Sequence, residues 1–483
     1  MSPIAVIITI LAYIAVLFGV AWFSGRKADN AGFFSGNRQT SWYMAAFAMI
    51  GAAMSGVTFI SVPGSVAVDS FSYMQMVLGF TVGQFVIAFV LIPLFYRLKV
   101  VSLYEYLEGR FGSASHHTGA WFFFISKMLG AALRVYVVCA VMQLLIFDHY
   151  GLPFWSNMSV TMLFVWIYTQ QGGVKSLIWT DTLKTICLVG SLVLSIYFIT
   201  RELGLSLPAM SQAVSDSPYS QIFFFGDSSS GRYFWKMFFG GIFTLIAMTG
   251  LDQDMMQRNL SCKSPRDSQK NIILTAISQF FVIFLFLVLG VLLYLYMQQH
   301  NLPMPEKSDQ VFSQVAVNGG LPAVVGILFV LGLVASTYSA AGSALTALTT
   351  SFTVDILKGT TRYAEDRLTR VRKRVHILMA VVMGGVILGF EAFGNDSVIN
   401  LVYKVASYTY GPILGMFIFG MFTRFAVRDR WIPVVAVAAP VLSALLQTFT
   451  LHSFGYQIGF ELLIYNALFT IAGMLIIIKP HEK

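Results

Sequence analysis

Charged residues are scarce in this sequence, and cysteine is nearly absent. Asp, Glu, Lys and Arg make up only 11% of the 483 residues, about half of the share that a soluble domain carries, whereas 57% are hydrophobic. The three cysteines, Cys139, Cys187 and Cys262, lie far apart without metal-ligand spacing, which argues against a disulfide framework and a zinc site. No polar stretch is long enough for a separate soluble domain. We therefore expect one all-α integral membrane domain over residues 1–483.

Apolar runs of about 20 residues, the length that crosses the hydrocarbon core of a bilayer, recur from end to end. The first run has no positively charged segment before it and no small-residue cleavage site after it, so we expect a retained helix and not a signal peptide. The runs predict thirteen spans, near residues 3–24, 43–63, 74–97, 119–147, 153–171, 177–201, 233–254, 271–298, 321–355, 375–393, 398–422, 431–449 and 457–478.

The distribution of Lys and Arg predicts the orientation of these spans. If the N-terminus lies outside, the inner loops hold 23 basic residues and the outer loops only three, Arg201, Arg232 and Lys307. Basic residues concentrate in cytoplasmic loops, so we expect an outside N-terminus and a cytoplasmic C-terminus in the cell inner (plasma) membrane. The inner loops also account for the net charge of +9, which then reflects contact with the lipid bilayer and not with nucleic acid.

Several charged residues fall inside the spans, where a charge is costly and marks a functional site. Arg134 lies mid-span, and a guanidinium that faces the interior can hold a carboxylate with two hydrogen bonds. Asp181 is too short to reach the headgroups, so either a cation site or a structural role is open to it. Longer side chains can extend to the headgroups or face the interior, and this choice is open for Lys127, Lys184, Lys236 and Lys404.

Two spans contain interruptions that do not suit a continuous membrane helix. Residues 49–64 of the second span are rich in small and hydroxyl residues, and residues 249–258 of the seventh are polar from mid-depth onwards. Broken helices at corresponding positions of two halves mark the solute and ion sites of inverted-repeat transporters. Close packing of helices through small residues would explain either segment alone. The matched pair, five spans apart, favours transport.

The ninth span carries hydroxyl residues along one helical face, at Ser336, Ser339, Ser343 and Thr346. Hydroxyl and carbonyl oxygens suit a hard cation such as Na⁺. Serines that only bond back to their own helix would give the same pattern. Both interpretations therefore stay open at this point.

Four segments resemble motifs of the sodium:solute symporter family. Gly172-Gly-Val-Lys-Ser-Leu-Ile-Trp-Thr-Asp181 looks like the family signature, and Met54-Ser-Gly…Pro63-Gly64, Asp252-Gln253…Gln257-Arg258 and Tyr408-Thr-Tyr-Gly-Pro-Ile-Leu-Gly-Met-Phe are also typical. They extend in the family's order from span two to span eleven. The resemblance implies a leucine-transporter-like fold with discontinuous helices 2 and 7. Its 5+5 inverted repeats would cover about residues 43–201 and 233–422, with peripheral helices at about 431–478.

The resemblance also implies sodium-coupled secondary active symport by alternating access. The main Na⁺ site would use the backbone carbonyls of Gly51, Met54 and Ser336 together with the Ser339 hydroxyl. Many relatives have a second hydroxyl directly after this serine, where the present chain has Ala340. The main site therefore loses a ligand, or water or another hydroxyl replaces it.

Some relatives hold a second Na⁺ between the signature aspartate and the serines of span nine. Asp181, Ser339 and Ser343 match that pattern, although Gly342 stands where a further hydroxyl is expected. We therefore predict a second Na⁺ site at these three residues.

The resemblance bears on the transported solute as well. Residues 245–250 are largely apolar and lack the Tyr-Trp pair and the asparagine of sugar-transporting relatives, which argues against a neutral hexose. A sialic-acid-transporting branch is similar in four positions, which here are Ser55, Thr58, Gln75 and Arg134. We therefore predict a small carboxylate-bearing solute, with sialic acid or a related acidic sugar favoured. An amino acid, a short-chain acid and a uronic acid stay open, and we expect the monomer to be functional.

Other functions agree less well with the sequence. An integral-membrane enzyme needs a cluster of catalytic His, Asp or Glu, and none of the seven histidines pairs with a carboxylate at motif spacing. We therefore expect no enzyme. A proton-coupled transporter of the same fold is the most serious alternative, because Ala340 weakens the ion site and a buried carboxyl such as Asp181 can exchange a proton near neutral pH.

Overall fold

The structure, a computed structural model, describes residues 3–25, 40–98, 103–170, 173–305, 307–393 and 398–479. Gly172 of the signature segment and five basic residues of the predicted inner loops (Arg26, Lys27, Arg38, Lys99 and Lys483) lie outside these ranges. The described chain is helical at each predicted span, as expected for apolar segments that must satisfy their own backbone hydrogen bonds in lipid.

Thirteen long helices therefore confirm the predicted all-α membrane architecture in the described ranges. They are α1 (Pro3–Gly25), α2 (Trp42–Ala53 and Gly56–Gly64), α3 (Tyr73–Leu98), α4 (Ser113–Tyr150), α5 (Phe154–Thr169), α6 (Gly173–Glu202), α7 (Phe234–Gly250 and Gln253–Leu260), α8 (Pro265–Gln299), α9 (Ala323–Ile356), α10 (Glu365–Phe393), α11 (Val398–Phe422), α12 (Ile432–Phe454) and α13 (Leu462–Ile476).

Length and hydropathy support membrane crossing for most of these helices. Nine of the described helices are long and apolar enough by themselves, and the two bent pairs raise the number to eleven. Helix α5, with 16 residues, and α13, with 15, are shorter than the roughly 20 residues that a perpendicular crossing needs. The protein is thus a multi-pass membrane protein.

Helices α2 and α7 are interrupted where the sequence predicted. The two halves of α2 meet at 55° and those of α7 at 68°. Met54 and Ser55 are extended between the halves of α2. In α7, a π-helical turn over Ile246–Gly250 precedes the break, and the Asp252 side chain accepts a hydrogen bond from the backbone N–H of Met255 at the start of the second half. The two bends are five spans apart, while the repeat boundaries themselves stay a prediction.

Glycines allow the helices around these breaks to approach each other closely. A Cβ atom on Gly79 of α3 would lie 2.1 Å from the backbone oxygen of Phe238 in α7. In the reverse direction, a Cβ on Gly241 of α7 would lie 2.4 Å from the backbone oxygen of Met76. Small residues at such contacts are typical of helix packing in membranes. Helices α3 and α7 therefore pack backbone to backbone beside the break in α7.

Candidate functional site

A central cavity lies beside the break in α2. It has a volume of about 80 Å³ and is lined by residues of α2, α3, α4, α7, α8 and α11. Three of the four predicted solute residues, Ser55, Thr58 and Arg134, line it together. The backbone N–H of Ser55 donates to Thr58 Oγ1 at 3.4 Å. The remaining lining includes the apolar side chains of Val57, Phe80, Leu245, Met248, Ile283 and Val402.

Arg134 contributes a basic side chain to the lining of this cavity. The residue is half-buried in α4 and also lines a smaller cavity of about 20 Å³ towards α6 and α9. Among the residues that the structure describes, no hydrogen bond or ion pair to its side chain is found. A basic group inside a membrane span normally pairs with an acid or a backbone carbonyl. Arg134 is therefore available to bind an anion that enters the cavity.

Gln75, the fourth predicted solute residue, does not line the cavity. Its side-chain Nε2 donates to the backbone oxygen of Arg232 at 2.9 Å, and its Oε1 accepts from the backbone N–H of Phe224 at 3.0 Å. It is fully buried on the face of α3 that meets the segment preceding α7. The structure therefore does not support Gln75 as a solute ligand, because its amide is used to anchor that segment.

Two tyrosines separate the central cavity from a larger vestibule. The vestibule measures about 430 Å³ and opens on the side that the Lys and Arg distribution predicts to be outside. Tyr73 of α3 and Tyr403 of α11 line both spaces, and their hydroxyl oxygens lie 2.6 Å apart. This hydrogen bond lies between the two spaces that a solute would cross in turn.

The residues predicted for the main Na⁺ site lie where α2 meets α9. In a continuous helix, the Ser55 N–H would donate to the Gly51 carbonyl. At the break it donates to the Thr58 side chain instead, which leaves the Gly51 carbonyl without this hydrogen bond. A Cβ on Gly56 would lie 3.2 Å from Ser336 Oγ, which places the break against the Ser336 turn. Ser339, also in α9, donates a hydrogen bond to Asp181 and keeps lone pairs for a cation. The Gly51 carbonyl and the Ser339 hydroxyl supply oxygen atoms, the type of ligand that a hard cation such as Na⁺ takes.

Arg258 is the centre of a buried group of charges that the sequence analysis gave no role. Its side chain is only 1% exposed. Its Nε donates to Asp181 Oδ2 at 2.9 Å, and its Nη1 lies 2.9 Å from Asp254 Oδ1. Its Nη2 donates to the Ser343 hydroxyl, which in turn donates to the Asp254 carboxylate at 2.8 Å. The second half of α7 is thereby bonded to α6 and α9.

Lys127 continues this group of charges towards α4 and α11. Its Nζ lies 2.8 Å from Asp254 Oδ2 and 3.2 Å from both carboxylate oxygens of Asp252. The Tyr410 hydroxyl donates to Asp252 Oδ2 at 2.7 Å. The alternative that Lys127 extends to the headgroups is therefore excluded in this structure. The polar run at 249–258 was the sequence signal for these acids, but Lys127 and Tyr410, the partners of Asp252, lie more than 100 residues from it in the sequence.

Lys184 also faces the interior and not the lipid headgroups. It is fully buried beside the 20 Å³ cavity, and its Nζ has no hydrogen-bond partner among the residues that the structure describes.

Of the other two lysines, Lys236 is buried with its Nζ 3.9 Å from Glu461 Oε1, and Lys404 lines the outer vestibule. The charges around the two central cavities are then four basic residues (Lys127, Arg134, Lys184 and Arg258) and three acidic ones (Asp181, Asp252 and Asp254).

Sequence comparison matches these features to a known family. The family model described as sodium:solute symporter family matches residues 33–428. The chain belongs to this family. The human sodium/iodide cotransporter is 24% identical over 432 residues, which cover 86% of this chain and 65% of that protein. Human sodium-coupled monocarboxylate transporter 1 is 26% identical over 423 residues, which cover 84% of this chain and 66% of that protein. The matched part thus spans about two thirds of these relatives.

Solved structures support the fold of this symporter-family protein. The substrate-bound outward-open state of a Na⁺-coupled sialic acid symporter matches with a TM-score of 0.81 at 19% identity, over 98% of this chain and 99% of that one. Mhp1, a nucleobase-cation-symport-1 family transporter, matches with a TM-score of 0.54 at 15% identity, over 93% and 95%. The predicted leucine-transporter-like fold is confirmed. Family membership also supports Na⁺ as the coupling ion and a role other than that of an enzyme.

Proposed function

We propose that this protein is a sodium-coupled symporter that imports a small organic monocarboxylate by alternating access. The observation that carries the proposal is the Arg134 guanidinium, which has no ion pair among the described residues and lines the central cavity together with Ser55 and Thr58. A guanidinium and two hydroxyls are the groups that bind one carboxylate. The relatives named above transport, by name, iodide, monocarboxylates and sialic acid, which are anions or acids.

The electrostatics of the cavity support a solute with a negative charge. Arg134 has no ion pair among the residues that the structure describes, whereas Arg258 and Lys127 nearby are both paired with aspartates. A charge without a partner is costly in a region of low dielectric constant. A carboxylate at Arg134 would give this guanidinium a partner, whereas a neutral sugar would not.

The size of the cavity favours a short acid over an acidic sugar. The volume of about 80 Å³ is well below the roughly 300 Å³ or more typical of pockets for larger ligands. Gln75, which the resemblance to the sialic-acid branch assigned to the solute, is bonded elsewhere. Sialic acid stays the second candidate, because Ser55, Thr58 and the amide of Gln279 also line the cavity and can bind sugar hydroxyls.

Coupling to Na⁺ follows from the place of the main ion site. The ion would bind Gly51, Met54, Ser336 and Ser339, and it would thereby connect the broken α2, which carries Ser55, to α9. Solute and ion would then stabilise the same arrangement of α2. The Tyr73–Tyr403 hydrogen bond would open towards the vestibule to admit both.

The remaining parts of the proposal follow the sequence. The N-terminus would lie outside and the C-terminus in the cytoplasm of the cell inner membrane, and the protein would act as a monomer. The repeats at about 43–201 and 233–422 would move relative to each other, with the helices at about 431–478 peripheral.

Uptake by the full chain in proteoliposomes tests the proposal. Labelled lactate and labelled N-acetylneuraminic acid would each be offered with an inward Na⁺ gradient, with choline in its place, and with an inward proton gradient alone. We expect lactate to accumulate only with the Na⁺ gradient. Accumulation with protons alone would overturn sodium coupling. Accumulation of only the acidic sugar would favour the second candidate. A failure of both solutes would overturn both candidates, and labelled amino acids and uronic acids would then be offered.

A further inference from the structure

The three residues predicted for a second Na⁺ site are present, but they are already bonded to a cation of the protein itself. Asp181 accepts a hydrogen bond from Ser339 at one carboxylate oxygen and from Arg258 Nε at the other. Ser343 accepts from Arg258 Nη2 and donates to Asp254. Arg258 therefore bonds to one carboxylate oxygen of Asp181 and to the Ser343 hydroxyl, which belong to two of the three side chains predicted to bind the ion. These residues do not fit a second Na⁺ in this arrangement.

The charges nearby oppose a further cation as well. Arg258 is fully buried, and Lys184 and Lys127 line the same 20 Å³ cavity as Asp181. The group already contains one more basic residue than acidic residues. A sodium ion there would increase this excess and would bring two positive charges to one carboxylate. At the main site, by contrast, the ion would meet the freed Gly51 carbonyl.

We propose that Arg258 takes the place of a second sodium ion, so that the protein binds and transports a single Na⁺ per solute. The inference rests on the proposed sodium-coupled symport. Arg258 carries the same unit charge as Na⁺ and stays covalently attached, so it supplies the positive charge for Asp181 without being transported. It is a residue that determines the coupling ratio and does not contact the solute.

Equilibrium binding of radiolabelled Na⁺ to the purified protein in detergent tests this inference without relying on transport. We expect one saturable ion per protein. Binding of two ions would overturn the inference and leave sodium-coupled symport intact. Binding of none would overturn the proposed function, and the inference with it.

Variants at Arg258 test whether the arginine itself excludes the second ion. In Arg258→Gln we expect two ions per protein, because Asp181 is then free, whereas Arg258→Lys should keep one. Loss of Arg258 leaves two buried acids short of a cation and endangers folding. The double variant Arg258→Gln/Asp254→Asn removes one charge of each sign and is expected to fold and to bind two ions. A folded variant without the arginine that still binds one ion would overturn the inference.

Discussion

Replacing Arg134 by glutamine separates binding of the solute from stability of the fold. Arg134 has no ion pair or hydrogen bond within the described residues, so its loss leaves no acid behind without a partner. We therefore expect the melting temperature to stay within a few degrees. For the solute, loss of one partner of a buried charged hydrogen-bonded pair costs about 3 kcal/mol, which is roughly a 100-fold weaker apparent affinity.

The assay is the dependence of Na⁺-driven uptake on solute concentration, with Lys404→Gln as the matched control. Lys404 lines the exposed vestibule, and loss of an exposed charge changes binding by no more than about 1 kcal/mol, or about fivefold. An Arg134→Gln protein with near-normal half-saturation would refute the assignment of this arginine to the carboxylate. An equal loss of apparent affinity in both variants would also refute it, because the effect would then come from the overall positive electrostatic potential and not from a direct contact.

Three further variants test other parts of the structure. Ser339→Ala should raise the Na⁺ concentration for half-maximal uptake about tenfold. Ser336→Ala should leave it unchanged, because the Ser336 hydroxyl donates to its own helix and only the Ser336 carbonyl is a predicted ligand. Equal effects of the two variants would contradict the predicted Na⁺ site. Lys127→Met should lower the free energy of unfolding by about 3 kcal/mol or more, because two buried aspartates lose a cationic partner. Thermal melting measures this loss, and an unchanged melting temperature would argue against the ion pairs. Tyr403→Phe should speed the reaction of an impermeant thiol reagent with Thr58→Cys, and an unchanged rate would exclude the hydroxyl pair as a barrier.

The positions of the helices were predictable because the bilayer constrains each one locally. About twenty apolar residues are enough to form a membrane span independently of the rest of the chain, and each of the thirteen predicted spans contains a helix within the described residues. The breaks in α2 and α7 were predictable for a similar reason, since small or polar residues at mid-depth have no place in a continuous lipid-facing helix.

The pairing of charges was not predictable, because it depends on the rotation of each helix about its axis. Lys127 lies 125 residues from Asp252 and Asp181 lies 77 from Arg258, and nothing in either local segment says which face points inwards. Gln75 shows the same difficulty. It lies on α3 two residues after Tyr73, which lines the cavity, but its own side chain turns towards the segment before α7. The contacts that define this site are therefore tertiary.

The second half of α7 has a mechanical consequence for transport. Its eight residues, with the preceding Asp252, are bonded through three charged side chains to α4, α6, α9 and α11. A shift of this short helix towards one neighbouring helix would lengthen its bonds to another. Any movement of this helix therefore either includes the bonded helices or breaks some of these ion pairs. We therefore expect the second half of α7 to move together with its bonded neighbours in the proposed transport cycle.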